Sequence, residues 1–294
     1  MDNIKQASLS KSRSYIACLS EANKMLFGNI RTIFSRTWIH CTVLAVVTAI
    51  YISLYLHAML YGYTMTTKIG VGIFSLLMLA ASVVYFSRIM FLVNGRPMKW
   101  NLVRSTKLAI CDVCLNIILL LIYSGVTYLV VQSKQPTDII QLQPMFTAFG
   151  ASALIISLLL LPYVYVIFQY MMEPGSKLRK IIFKSYTIGL RHWGLIFIAL
   201  LLTALCIFIC SMLVSIPMLI ILSANSLSVY GVNYLGDPTG LPSYFIVIQL
   251  IVFILTFFIW SYINIFTIFV GYFLYGSIET REKEKKDAKK ELNV

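Results

Sequence analysis

The segment Trp38–Leu60 reads WIHCTVLAVVTAIYISLYLHAML and contains no Asp, Glu, Lys or Arg. A bilayer hydrocarbon core about 30 Å thick needs roughly 20 such residues in an α-helix, because each residue adds about 1.5 Å. This segment therefore predicts a membrane-spanning helix. Five further runs of similar length and apolar character follow along the chain: Ile69–Val93, Leu108–Gln132, Phe146–Met172, Gly194–Leu222 and Tyr244–Gly276.

The composition agrees with a membrane protein, since 59% of the residues are hydrophobic and only 12% are charged. In soluble domains about a quarter of the residues are charged. We expect an all-α, polytopic membrane protein with six transmembrane helices plus cytoplasmic interfacial amphipathic helices. Its parts are a cytoplasmic amphipathic N-terminal segment (1–37), the six-helix transmembrane domain (38–276) and a charged cytoplasmic tail (277–294). We expect the tail to be a solvated, frayed end, with helical continuation as the alternative.

The positive charges indicate the orientation of the chain. Of the 24 Lys and Arg residues, all except Lys68 and Lys134 lie in the two terminal segments and in alternate connections between the runs, with Arg88 counted at the end of the second run. This asymmetry places those connections and both termini in the cytoplasm, and the protein in the cell (inner) membrane. The net charge of +13 follows from this arrangement and predicts attraction to anionic inner-leaflet lipid. No segment is typical of a nucleic-acid-binding module, so we expect no nucleic-acid partner.

Amphipathic segments precede several runs on the cytoplasmic side. Between Tyr15 and Phe34, apolar residues recur every three or four positions, which predicts a helix lying in the membrane interface. They are Ile16, Leu19, Ala22, Leu26, Ile30 and Ile33. A similar segment, Lys177–Trp193, precedes the fifth run, and a shorter basic one, Pro97–Lys107, precedes the third.

Two of the segments that lead into the membrane share the pattern Thr-Ile-x-x-Arg-x-Trp. It contains Arg36 and Trp38 before the first run, and Arg191 and Trp193 before the fifth. The arginine can reach lipid phosphate while the tryptophan lies among the headgroups, so we interpret these residues as interfacial anchors. Internal duplication and convergence on good anchors both account for the pattern.

This plan of amphipathic helix, Arg-x-Trp segment and transmembrane helix resembles that of a loose set of uncharacterised bacterial six-helix membrane proteins. It is also similar to the membrane domain attached to some bacterial glycerophosphodiester phosphodiesterases. The resemblance implies a helical membrane domain and no site residues. The chain contains no phosphodiesterase domain, so the resemblance does not imply catalytic activity.

The transmembrane runs contain very few charged residues. Arg88 and Asp112 lie at similar predicted depths near the cytoplasmic ends of the second and third runs, and Asn116 follows one turn later. An ion pair between Arg88 and Asp112 would fix the register of the hairpin. Alternatively, an intramembrane acid is typical of a proton or cation relay.

Polar or small residues also recur on the last three runs. They form a possible substrate path or ordinary helix–helix contacts. The candidates are Tyr165 and Gln169 on the fourth run, Thr203 on the fifth, and Ser261, Asn264 and Thr267 on the sixth. No motif indicates catalytic residues, a metal or a cofactor, and we expect none.

Two functions from different classes remain. The first is a non-enzymatic membrane protein that organises lipids or partner proteins, including further copies of itself, at the cytoplasmic membrane. The alternative is a small transporter or permease-like channel that uses the polar faces of the last three runs. Such a transporter requires those faces to converge on one cavity, whereas the first function leaves them packed.

Overall fold

The computed structural model describes residues 9, 11–134, 143–236 and 240–291. In this part of the chain the regular structure is helical throughout. The helices are α1 (Tyr15–Gly28), α2 (Ile30–Tyr61), α3 (Met65–Asn94), α4 (Met98–Lys134), α5 (Gln143–Leu160), α6 (Tyr163–Met172), α7 (Leu178–Arg191), α8 (Trp193–Tyr234) and α9 (Phe245–Glu291).

Six helical segments are long and apolar enough to cross a membrane, which confirms the predicted all-α, six-span class. They are α2, α3, α4, α5 together with α6, α8, and α9. Helix α8 extends beyond the predicted fifth run, which ends at Leu222, and continues to Tyr234. The helix extends because neither glycine nor proline interrupts the segment 223–230, and Pro217 is accommodated inside α8.

The most enclosed stretch of the described structure lies in the second half of α9. Every residue from Phe269 to Ile278 is buried, so this stretch is surrounded by protein on all sides. Helices α1 and α6 pack against it. Gly271 allows this contact, because an added Cβ would lie 2.2 Å from a ring carbon of Phe168 on α6. The last apolar run therefore combines a membrane-crossing part with a protein-buried part.

The N-terminal amphipathic segment is a helix, but it is shorter than predicted and packs on protein. Helix α1 ends at Gly28, and α2 begins at Ile30. The side-chain amide of Asn29 donates to the carbonyl oxygen of Met25 (2.9 Å) and so satisfies an end of α1. Cys18 and Ala22 are fully buried, whereas Ile30 of the predicted apolar face is exposed.

Pro162 divides the predicted fourth helix into α5 and α6. A proline cannot donate to the carbonyl oxygen four residues earlier. That oxygen, on Leu158, instead accepts a hydrogen bond from Trp193 Nε1 (3.1 Å), and the Leu159 oxygen accepts one from Tyr186 Oη (2.9 Å). Beyond this break, α6 and α7 run beside each other as a helical hairpin that contacts α4 and α9.

The charged tail is helical, which corrects the expectation of a frayed end. Helix α9 continues to Glu291. Two of its carboxylates are held by other helices: Glu279 accepts from Tyr165 Oη, and Glu282 lies 3.0 Å from His192 Nε2. These contacts dock the first turns of the tail on α6 and on the junction between α7 and α8.

Candidate functional site: a basic groove

The expected ion pair between Arg88 and Asp112 does not form. Arg88 Nε donates to the carbonyl oxygen of Arg36 (3.0 Å), and the guanidinium lies over a phenylalanine ring. Asp112 is exposed and has no ion pair within the described ranges. Asn116 donates to the backbone oxygen of Asp112 (2.9 Å) rather than to its carboxylate. Asp112 lies on a stretch of α4, from Leu108 to Gln132, in which no residue is buried.

The six candidate path residues do not converge. Thr203, Ser261 and Asn264 each donate to a carbonyl oxygen of their own helix, at 2.7, 2.9 and 2.8 Å. Thr267 is half-buried on α9. Tyr165 and Gln169 lie on α6, where Tyr165 contacts Glu279. Glu279 is about 27 Å along α9 from Ser261 at the helical rise. The convergence that a transporter requires is therefore not found among these side chains.

The two Arg-x-Trp segments have different local structures. Arg36 and Trp38 are both exposed and lie inside the continuous helix α2. In the second segment the helix is interrupted at His192, so that Arg191 ends α7 and Trp193 begins α8. Arg191 is exposed, while Trp193 is half-buried by its contact with α5. The predicted role of these residues as interfacial anchors stays a prediction, but the segments differ in backbone geometry.

Among the described residues, Arg104 has the side chain with the most hydrogen bonds, and the sequence analysis did not single it out. Its guanidinium forms five hydrogen bonds to the end of α6 and the segment that follows it. Arg104 Nη1 donates to the carbonyl oxygens of Tyr170 and Glu173 (2.8 Å) and to Ser176 Oγ (2.8 Å). Arg104 Nη2 donates to the oxygens of Pro174 (2.7 Å) and Ser176 (3.3 Å). The side chain therefore satisfies carbonyls that the end of a helix leaves free.

Two aromatic rings enclose the same guanidinium. The carbon atom at its centre lies 4.1 Å from the centroid of Trp100 and 4.4 Å from that of Tyr170. Arg104 is only 7% exposed as a result. Arginine suits this position because its planar fork presents several donors and can stack on rings at the same time. These contacts, which we call the Arg104 clasp, hold the start of α4 against the connection between α6 and α7.

A second set of hydrogen bonds lies beside the Arg104 clasp. Asn101 of α4 is fully buried, and its amide pairs with the amide of Asn94 at the end of α3 (2.8 and 3.2 Å). Asn94 Nδ2 also donates to the carbonyl oxygen of Met171 (3.1 Å). Together the two sets of contacts join the end of α3, the start of α4 and the end of α6, a region that we call the base.

This base carries an open cavity of about 730 Å³ between α4 and the start of α7, which we call the basic groove. Four cationic side chains line it in addition to Arg104, and none of its lining residues is acidic: Lys99, Lys107, Lys177 and Arg179. All four are exposed, and their side chains form no ion pair or hydrogen bond with any residue that the structure describes. The groove is therefore a concentrated, uncompensated positive site that attracts anions.

The surroundings of the groove are apolar in the way expected at a membrane surface. On α7, Phe183 lies one turn beyond Arg179 and is 79% exposed. On α4, Ile110 and Cys114 follow Lys107 on the same side of the helix, at spacings of three and four residues. Cations next to exposed apolar side chains are typical of a helix at the headgroup boundary.

Comparison with protein-family models, with curated proteins and with solved structures found no match to this chain. The resemblance to the membrane domain of glycerophosphodiester phosphodiesterases therefore stays a prediction.

Proposed function

We propose that this chain is a non-enzymatic integral membrane protein that binds anionic phospholipid headgroups at the basic groove and thereby organises inner-leaflet lipid. The proposal includes location in the cell (inner) membrane with both termini in the cytoplasm. The observation that carries it is the grouping of four exposed, unpaired cations around one cavity without an acidic residue.

The position of the groove supports a lipid ligand. Its cations come from the gaps between runs that the positive-inside pattern assigns to the cytoplasm. Basic pockets between transmembrane helices on that side suit anionic headgroups, and each Lys or Arg near the surface contributes about 1 kcal/mol of attraction. The lipid phosphate would lie among the groove cations beside Lys177, and an acyl chain would follow Ile110 and Cys114 along α4.

The test is lipid retention measured by native mass spectrometry on purified protein titrated with phosphatidylglycerol in neutral detergent. One variant replaces the four groove cations with glutamine. The matched control removes the same charge from the tail by replacing four lysines of α9 with glutamine: Lys283, Lys285, Lys289 and Lys290. We expect the groove variant to lose affinity at least about tenfold, equivalent to about 1.4 kcal/mol, and the tail variant to retain it. Equal losses in both variants would refute a specific site.

A protein partner or a homo-oligomer stays a prediction. The exposed length of α4 from Leu108 to Gln132 is compatible with either a lipid environment or another chain.

A further inference from the structure

A second cavity adjoins the basic groove on the other side of the connection between α6 and α7. Its volume is about 410 Å³, and it shares Ser176 and Lys177 with the groove. A ligand whose phosphate lies near Lys177 can therefore extend into it. The remaining polar residues of the second cavity are Lys180, Lys184 and Ser185 of α7, together with Gln169 and Glu173 at the end of α6.

The second cavity differs from the groove because two residues with carbonyl or carboxylate acceptors, Gln169 and Glu173, are among those that line it. Gln169 Nε2 donates to Glu173 Oε1 (3.0 Å), which fixes the orientation of the amide. Gln169 Oε1 is buried and has no hydrogen-bond partner among the residues that the structure describes. A buried acceptor without a partner costs about 1–3 kcal/mol. A ligand group that donates a hydrogen bond here would remove that cost.

The charges of the cavity select among possible donors. Three lysines and one carboxylate surround it, so the local balance is positive. An ammonium group would be repelled by Lys177, Lys180 and Lys184. A hydroxyl group donates without carrying charge, and it also accepts hydrogen bonds from the lysines.

We infer that the lipid bound at the basic groove has a polyol headgroup, with its phosphate near Lys177 and its hydroxyls donating to Gln169 and Glu173. This assignment rests on the proposed function and narrows it to one headgroup class. It favours phosphatidylglycerol over phosphatidic acid, which has no hydroxyl beyond the phosphate, and over phosphatidylserine, which has an ammonium.

The experiment compares these three lipids by native mass spectrometry with the full chain in neutral detergent. We expect affinity for phosphatidylglycerol to exceed that for the other two at least about fivefold. Gln169→Met removes the free acceptor at similar volume and should abolish this preference while leaving phosphatidic acid binding unchanged. Gln143→Met makes the same change at an exposed position on α5 and should retain the preference. If Gln169→Met fails to fold, Glu173→Gln serves as the test instead. It keeps the shape of the side chain, and it should weaken the preference for phosphatidylglycerol.

The outcomes separate the two proposals. Equal binding of the three lipids, or a preference that survives both Gln169→Met and Glu173→Gln, overturns the polyol assignment and leaves anionic-lipid binding intact. A preference for phosphatidylserine also overturns it. If the unmodified protein binds none of the three anionic lipids, the proposed function is refuted as well.

Discussion

Replacing Arg104 with lysine should destabilise the protein although the charge is kept. The guanidinium forms five hydrogen bonds, whereas an ammonium can donate at most three. At least two bonds are lost, at about 1 kcal/mol each. The contacts with Trp100 and Tyr170 contribute about 0.5–1 kcal/mol each and are weakened at the same time. The expected loss is about 3–4 kcal/mol.

Thermal unfolding followed by intrinsic tryptophan fluorescence measures this loss. At about 2–4 °C per kcal/mol for a chain of this size, the midpoint should fall by roughly 6–16 °C. Arg96→Lys is the matched control, because Arg96 is exposed and its guanidinium carbon lies 5.8 Å from the centroid of the same Trp100 ring. If Arg104→Lys lowers the midpoint no more than Arg96→Lys, the contacts of the Arg104 clasp do not stabilise the packing of α4 against α6.

Three further perturbations test other parts of the fold. Gly271→Ala should cost about 1–3 kcal/mol in thermal unfolding, because its Cβ overlaps a buried ring of α6, whereas Gly72→Ala has open space and should be neutral. Burial raises the pKa of the Cys18 thiol to about 11, so maleimide at pH 7 to 8 should label the exposed Cys111 and not Cys18; equal labelling would contradict the packing of α1. Trp193→Phe keeps an aromatic side chain but removes the Nε1 donor to the Leu158 carbonyl oxygen, which Pro162 leaves without its usual partner. It should lower the unfolding free energy by about 1–2 kcal/mol, and an unchanged unfolding midpoint would show that this hydrogen bond is not needed.

The six crossings were predictable because the signal for each is local. A run such as Trp38–Leu60 is apolar over its whole length, and its transfer into hydrocarbon depends on composition more than on neighbours. Hydropathy did not show the break at Pro162, because transmembrane helices tolerate proline when other groups satisfy the freed carbonyls. It also did not separate the membrane-crossing part of α9 from Phe269–Ile278, since lipid and a protein interior are equally apolar environments.

The candidate site was only partly predictable. The positive-inside pattern predicts a cytoplasmic location for its cations, but Arg104 and Lys107 are indistinguishable in the hydropathy pattern. One of them is buried beneath a tryptophan and the other faces the solvent. Conversely, Arg88 and Asp112 share a predicted depth, yet Arg88 donates to a carbonyl oxygen of α2 and Asp112 is exposed without an ion pair among the described residues.

What the sequence by itself determined is how often the chain crosses the membrane, together with a predicted orientation, since both follow from where apolar runs and positive charges fall along the chain. Only the tertiary structure decided which of the cations surround a common cavity and which polar groups lack a partner. That grouping depends on how the hairpin of α6 and α7 packs against α4, and such contacts join residues far apart in the sequence.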